Sequence, residues 1–187
     1  MEYVVPIKDI SKINAMKDIL EKSSLRDYVL FVIGINTGIQ SQNLLLLKVE
    51  DVWDGDGPRE YLTIQDEKTG NVQKHYLNSR VRIALERYIR SSDLKQTDYL
   101  FKSTRNDKPI TRQQAYRIIN VAAKEAGIEG NVGTHTLRKT FGYHAYRKGV
   151  AISILMHMFH HNSRSETLKY IGITEEEKSA VKVDVNL

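Results

Sequence analysis

The stretch SLRDYVLFVIGINTG, residues 24–38, carries apolar side chains almost all the way round a helical wheel. A helix with one polar side can lie on a surface, but one that is apolar on nearly every side has to be surrounded by other elements. Residues 24–37 are therefore expected to hold the central helix of one domain. It starts at Ser24, whose hydroxyl suits an N-cap, and stops at Thr37-Gly38, where glycine tolerates a left-handed helix end. Its longest apolar run, LFVIGI at 30–35, falls far short of the roughly 20 residues that a membrane span needs. No membrane partner is expected, and 187 residues suffice to wrap a core around such a helix.

The flanking segments supply the wrapping. Ile10, Ile13, Met16, Ile19 and Leu20 recur on one face of a helix over 8–22, and SQNLLLL restarts as a short helix after the glycine. EYLTIQDEKTGNVQKHYLN, 60–78, alternates apolar and polar residues on both sides of Lys68-Thr69-Gly70-Asn71, the pattern of a β-hairpin with a tight turn. Helices are expected at 79–92, at 111–126 between Thr111 and Gly127, and near 135–148, 151–159 and 163–171. The fold class is mainly α with a small antiparallel β-sheet (α+β). The domain should run over 1–173, followed by a tail, 174–187, in which Val181, Val183 and Val185 alternate. So short an amphipathic strand must add to a sheet in its own domain or dock on another protomer.

Lys and Arg outnumber Asp and Glu by 28 to 23, a net charge of +5 that favours a polyanionic partner. The chain has no cysteine, which excludes disulfides, thiolate zinc sites and cysteine nucleophiles together. The first residues, MEYVVPIKD, are acidic where a secretory signal would be basic, so a cytoplasmic protein is expected. His157, His160 and His161 lack carboxylate or thiol support at ligand spacing, and no metal site is assigned to them.

Chemistry concentrates in HTLRKTFGYH, 135–144, and FHHNSRSETLKY, 159–170. His135 and Arg138 stand three apart, on one helix face, and can point at one acceptor such as a phosphate. Cleavage of a phosphodiester by a tyrosine needs three things. The phenol must lose its proton, the charge gained by the non-bridging oxygens must be held, and the departing sugar oxygen must be protonated. Arginine binds the oxygens bidentately, histidine handles protons near neutrality, and a lysine on a flexible stem can deliver one. Arg138, His135, Tyr170 and Lys68 are groups of those kinds, and neither a metal nor another cofactor is required. Lys139, Arg147 and Lys148 flank the phosphate site and read as contacts to a DNA backbone.

In these residues the chain resembles the tyrosine recombinases, or phage integrases. HTLRKTFGYH is similar to the family's histidine-x-x-arginine helix. FHHNSRSETLKY resembles its second histidine with the nucleophilic tyrosine nine residues on. DEKTGNVQKHYLN resembles the hairpin that carries its lysine, and NTGIQSQNLLLLKVEDV the segment that carries its first arginine. The resemblance implies a catalytic domain of that fold, with Tyr170 as nucleophile and Arg138 as phosphate clamp. His135 and His161 become phosphate hydrogen-bonders with acid or base duties, and Lys68 the general acid. It further implies site-specific cutting and rejoining of double-stranded DNA without ATP, by a homo-oligomer that forms a tetrameric synapse, in a bacterium or a phage. One departure stands out: the family's arginine is Gln40 here, and the acidic residue three positions later is Asn43. A glutamine brings a hydrogen bond but no charge. The alternative this raises is a cleavage-deficient DNA-binding regulator or accessory factor of the same fold.

Overall fold

The computed structural model describes residues 4–65 and 70–179, Ser179 by its backbone alone. Helix α2 (Leu25–Thr37) lies at the centre, capped by the Ser24 hydroxyl at one end and closed by left-handed Gly38 at the other. Val29, Leu30, Phe31, Val32 and Ile33 are all buried, as an all-round apolar helix requires. Around α2 pack α1 (Ile10–Ser23), α5 (Ser79–Arg90) and α7 (Thr134–Arg147), and α6 (Arg112–Glu125) closes over α1 and α7. The short helices α3 (Ser41–Leu45) and α4 (Val49–Val52) lead from α2 to the sheet. Helices α8 (Ile152–Phe159), α9 (Arg164–Tyr170) and α10 (Glu175–Ser179) complete the described chain. This is the mainly helical fold with a small antiparallel sheet that the periodicities indicate.

The sheet is the expected hairpin. Strand β1 (Tyr61–Gln65) pairs antiparallel with β2 (Val72–Tyr76) in a register that sets Leu62 opposite His75 and Tyr61 opposite Tyr76. Leu62 and His75 face the core while the two tyrosines face outward. Residues 66–69 lie outside the described residues, and so does Lys68. His75 fastens the hairpin to the central helix, its Nδ1–H donating to the Thr37 carbonyl at 3.0 Å. Burial first, and the Arg138 charge after it, hold this imidazole below its usual pKa, with the Thr37 bond working the other way.

The buried apolar side chains fall into two clusters. The larger surrounds α2 and includes Leu137 of α7; the smaller holds Tyr143 of α7 with Leu155, Phe159, Leu168, Ile171 and Ile173. Helix α7 is shared, its first half serving the large core and its second half the small one. Gly142 permits the second contact, because a Cβ there would sit 2.5 Å from Ile171 and 2.8 Å from the Phe159 ring. Arg138 joins the clusters directly. Its Nη1 donates to the carbonyl of Gly38, beyond α2, and its Nη2 to that of Met158, in α8, at 3.0 Å.

The N-terminal segment runs alongside α7. Ile7 N–H donates to the Thr140 hydroxyl, the His144 Nε2–H to Ile7 O, and the Lys139 ammonium to Val4 O. Lys8 pairs with Glu177 of α10 at 3.0 Å, and the Tyr143 hydroxyl donates to the same carboxylate at 2.7 Å. Residues 174–178 are thus tied to the body, and the tail expected from residue 174 has its first turn inside the domain. Val181, Val183 and Val185 lie outside the described residues.

Two measurements test these fastenings. Arg138→Met strands two carbonyls, each worth about 1–3 kcal/mol if left buried and unpaired. Urea unfolding should show that loss, with amide exchange rising in α8 and α9 more than in α2; an unchanged midpoint would refute the bridge. His75 tests the hairpin. Below the unfolded imidazole value near 6.5 the unfolded chain takes up a proton that the folded His75 refuses, so stability falls as pH drops from 7.5 to 5.5. His75→Gln should lessen that slope in thermal scans at each pH, leaving the part that the other depressed imidazoles contribute.

Candidate active site

Three local events bring the chemical groups together. The first is the turn at Gly38, with φ +66° and a Cβ position that would lie 2.3 Å from Phe141, so that glycine alone fits. This turn places Gln40 as the N-cap of α3 with no side-chain cap bond. The second is the start of α7, where Gly133 N–H donates to the Thr136 hydroxyl, setting His135 and Arg138 on the face toward α3 and α9. The third is His160, a non-glycine residue with φ +58° that ends α8. The reversal there presents His161, and α9, capped by Ser163, then delivers Tyr170.

The result is a cavity of about 280 Å³. Arg138, His135, His161 and Tyr170 line it, with Gln40, Ser41 and Gln42 from α3 and its cap, Phe159 beneath, and Arg112 at the edge. Four of the expected site residues, on three different elements, therefore share one hollow with the departing position Gln40. Gln40 is exposed, and it also borders a smaller hollow of about 30 Å³ beside Asn43, Gln73 and His75.

Each group is held by identifiable neighbours. Arg138 is 6% exposed and its guanidinium stacks over Phe159 at 4.7 Å. Burial pulls its pKa down while Tyr170 pulls it up; an arginine stays charged under such pressures. Burial pushes the Tyr170 phenol up, and Arg138, close enough to hydrogen-bond it, acts against that rise. The Tyr170 ring meets His161 edge-on at 4.9 Å and Phe159 at 5.3 Å. The Thr167 hydroxyl donates to Ser163 O, so toward His161 Nδ1, 3.0 Å away, it is the acceptor. In that arrangement Nδ1 carries the hydrogen and Nε2 the lone pair. Burial is the first cause that depresses His161. His135 is depressed by burial and then by the charges of Arg112, Lys139 and Arg138. Both imidazoles are neutral at pH 7 as a result. The cavity combines a fixed cation, a phenol and two neutral imidazoles, a set suited to binding an oxyanion and moving a proton.

The remaining expected residues are placed differently. Lys139 does not join a solvent-facing basic run. It is buried, donates to Val4 O, and lies 5.1 Å from the centre of the Tyr170 ring, so it supports the tyrosine from behind. Arg147 and Lys148 are exposed at the far end of α7, roughly 13 Å along the helix from Arg138. His144, half-buried, donates to Ile7 O at 2.9 Å. Several residues at the site went unseen in the sequence, among them Ser41, Gln42 and Phe159, and two more left a signal. Thr167 has its signal in hindsight, a hydroxyl one helical turn before the tyrosine. Arg112 has another, a cation in the first turn of a helix, where the dipole disfavours it. Among the described residues no three His, Asp or Glu side chains gather as a metal site, and no helix is long and apolar enough to cross a membrane.

Comparison with known proteins places this arrangement. The chain is 41% identical over 184 residues to the probable integrase/recombinase YoeC of Bacillus subtilis (strain 168), covering 98% of both chains. Two further tyrosine recombinases, from Pseudothermotoga lettingae and Pyrococcus furiosus, are longer, and the chain spans 51% and 59% of their lengths. Among solved structures, the fold matches XerA recombinase with a TM-score of 0.75 at 23% identity, over 95% of this chain and 62% of that one. The phage integrase family pattern matches residues 5–177. From that match and the identity to YoeC, the chain belongs to the phage integrase family.

Proposed function

We propose that the protein cuts and rejoins DNA at specific sites through a 3′-phosphotyrosyl intermediate on Tyr170. The observation that carries this reading is the shared cavity, in which the Tyr170 phenol, the clamped guanidinium of Arg138 and two neutral imidazoles surround a space that fits a phosphate.

In the proposed step the Tyr170 oxygen attacks phosphorus, the bond from phosphorus to the 5′ oxygen breaks, and a 5′-hydroxyl leaves. Burial raises the pKa of the phenol, so its proton has to pass to a base as the oxygen attacks, and the His161 imidazole, which lines the same cavity, is assigned as the acceptor. Arg138 binds the oxygens that gain charge, and His135, neutral, donates a hydrogen bond to one of them. Lys68 of the hairpin is assigned the proton for the leaving oxygen. Rejoining reverses these steps without ATP, because the phosphotyrosyl ester conserves the energy of the broken bond. Arg147 and Lys148 are assigned to the DNA backbone away from the reacting phosphate.

Two duplexes recombining have four strands to cut, and each protomer brings one Tyr170. A tetramer on two double-stranded sites meets that requirement, with residues 180–187 docking on the adjoining protomer. The work is assigned to the cytoplasm, where the DNA is.

The test begins with duplexes selected by the protein from a randomised library. Nicked versions of these, incubated with the protein, should give a covalent adduct that survives detergent and vanishes with Tyr170→Phe. Binding that persists while no variant forms an adduct would leave the DNA-binding regulator as the function. For the assembly, deleting 180–187 should abolish self-association on DNA in sedimentation while the melting temperature stays unchanged. A truncated chain that still assembles would remove the tail from that role.

A further inference from the structure

We infer that Arg112, at the start of α6, supplies the second positive charge to the reacting phosphate, in the place that Gln40 leaves neutral. The inference rests on the function proposed above. Attack of a phenolate on a phosphodiester puts a second negative charge on the non-bridging oxygens, and one cation has to share it with dipoles unless another is present. Arg138 cannot commit its whole fork, because two of its N–H groups are directed at the carbonyls of Gly38 and Met158. Gln40 brings no charge. Among the described residues the other cationic side chain lining the cavity is Arg112.

Its setting fits that task. Arg112 is the first residue of α6, behind the Thr111 cap, so it sits at the positive end of a 14-residue helix. A cation there is disfavoured by the dipole until an anion arrives to satisfy both. Among the described residues its guanidinium makes a single long hydrogen bond, 3.4 Å to the Gln42 side chain, two residues from Gln40. The same residue also borders two open hollows outside the cavity, of about 390 and 580 Å³, so it stands where three open spaces meet. Its field already reaches the site, since after burial it is the leading cause of the depressed His135 imidazole.

The experiment uses the full chain and the nicked duplexes selected above, in single turnover at saturating protein. Arg112→Ala and Arg112→Gln should each slow adduct formation about 100-fold or more, with melting temperatures equal to that of the parent. Installing Gln40→Arg should restore the cation at the vacant position and shrink the effect of Arg112→Ala to below about tenfold, a coupling that independent sites do not show. A methylphosphonate at the reacting position carries one charge less, and on it the parent and Arg112→Ala should react at nearly the same rate. Equal rates for parent and variants on ordinary phosphate overturn the assignment alone. So does a loss of the same size in both Gln40 backgrounds and on methylphosphonate. Absence of any adduct from the parent protein overturns the function on which it rests, and the assignment with it.

Discussion

The guanidinium of Arg138 is the joint on which this molecule depends. A buried cation is tolerable only when its donors find acceptors, and here the acceptors belong to different parts of the fold, Gly38 beyond the central helix and Met158 in α8. The demand for partners therefore adds a polar tie between two clusters that already share helix α7. It also leaves the fork at the floor of the cavity, under the Tyr170 phenol. The structural role and the proposed chemical role coincide in one side chain. Any substitution at Arg138 disturbs both, and its effect on reaction rate cannot by itself be assigned to charge.

The division into two cores bears on the proposed nucleophile. Tyr170 packs with the smaller cluster, on a helix of seven residues held by Leu168, Ile171 and Phe159. A cluster of that size stabilises less than the one around α2, and segments resting on few apolar contacts open at lower free energy than the rest of the domain. Lys139, behind the tyrosine ring and bonded to Val4 O, links this helix to the N-terminal segment. The position of the phenol therefore follows α7 and that segment together.

The parts legible in the sequence were those governed by local rules. The central helix announced itself because no surface could accommodate its apolar circumference, and Ser24, Gly38 and Thr111 marked helix ends by their own backbone chemistry. The His135–Arg138 pair followed from helical spacing. Helix α4 escaped because four residues are too few to show a period; it is held by the Asp51 carboxylate accepting from Lys48 N–H. The surroundings of Lys139 and His144 stayed hidden for a different reason. Their partners, Val4 and Ile7, are more than 130 positions away in the chain, and nothing within a helix distinguishes a lysine in solvent from one whose stem is buried and whose head meets a distant carbonyl. Arg112 went unseen because its neighbours in the cavity come from α3, α7 and α9.

The closure of the chain by Glu177 has a mechanical meaning. Burial pushes this carboxyl up, but bonds from Thr174 N–H, Tyr143 and Lys8 outweigh it and bring it down to about 2. The link between the first and last described segments thus stays ionised across the physiological range. Tension applied beyond residue 179 would meet this clasp before any helix of the body. Through Tyr143 the load would pass into α7, the helix that carries His135 and Arg138. A pull on the chain end is in that sense a pull on the cavity.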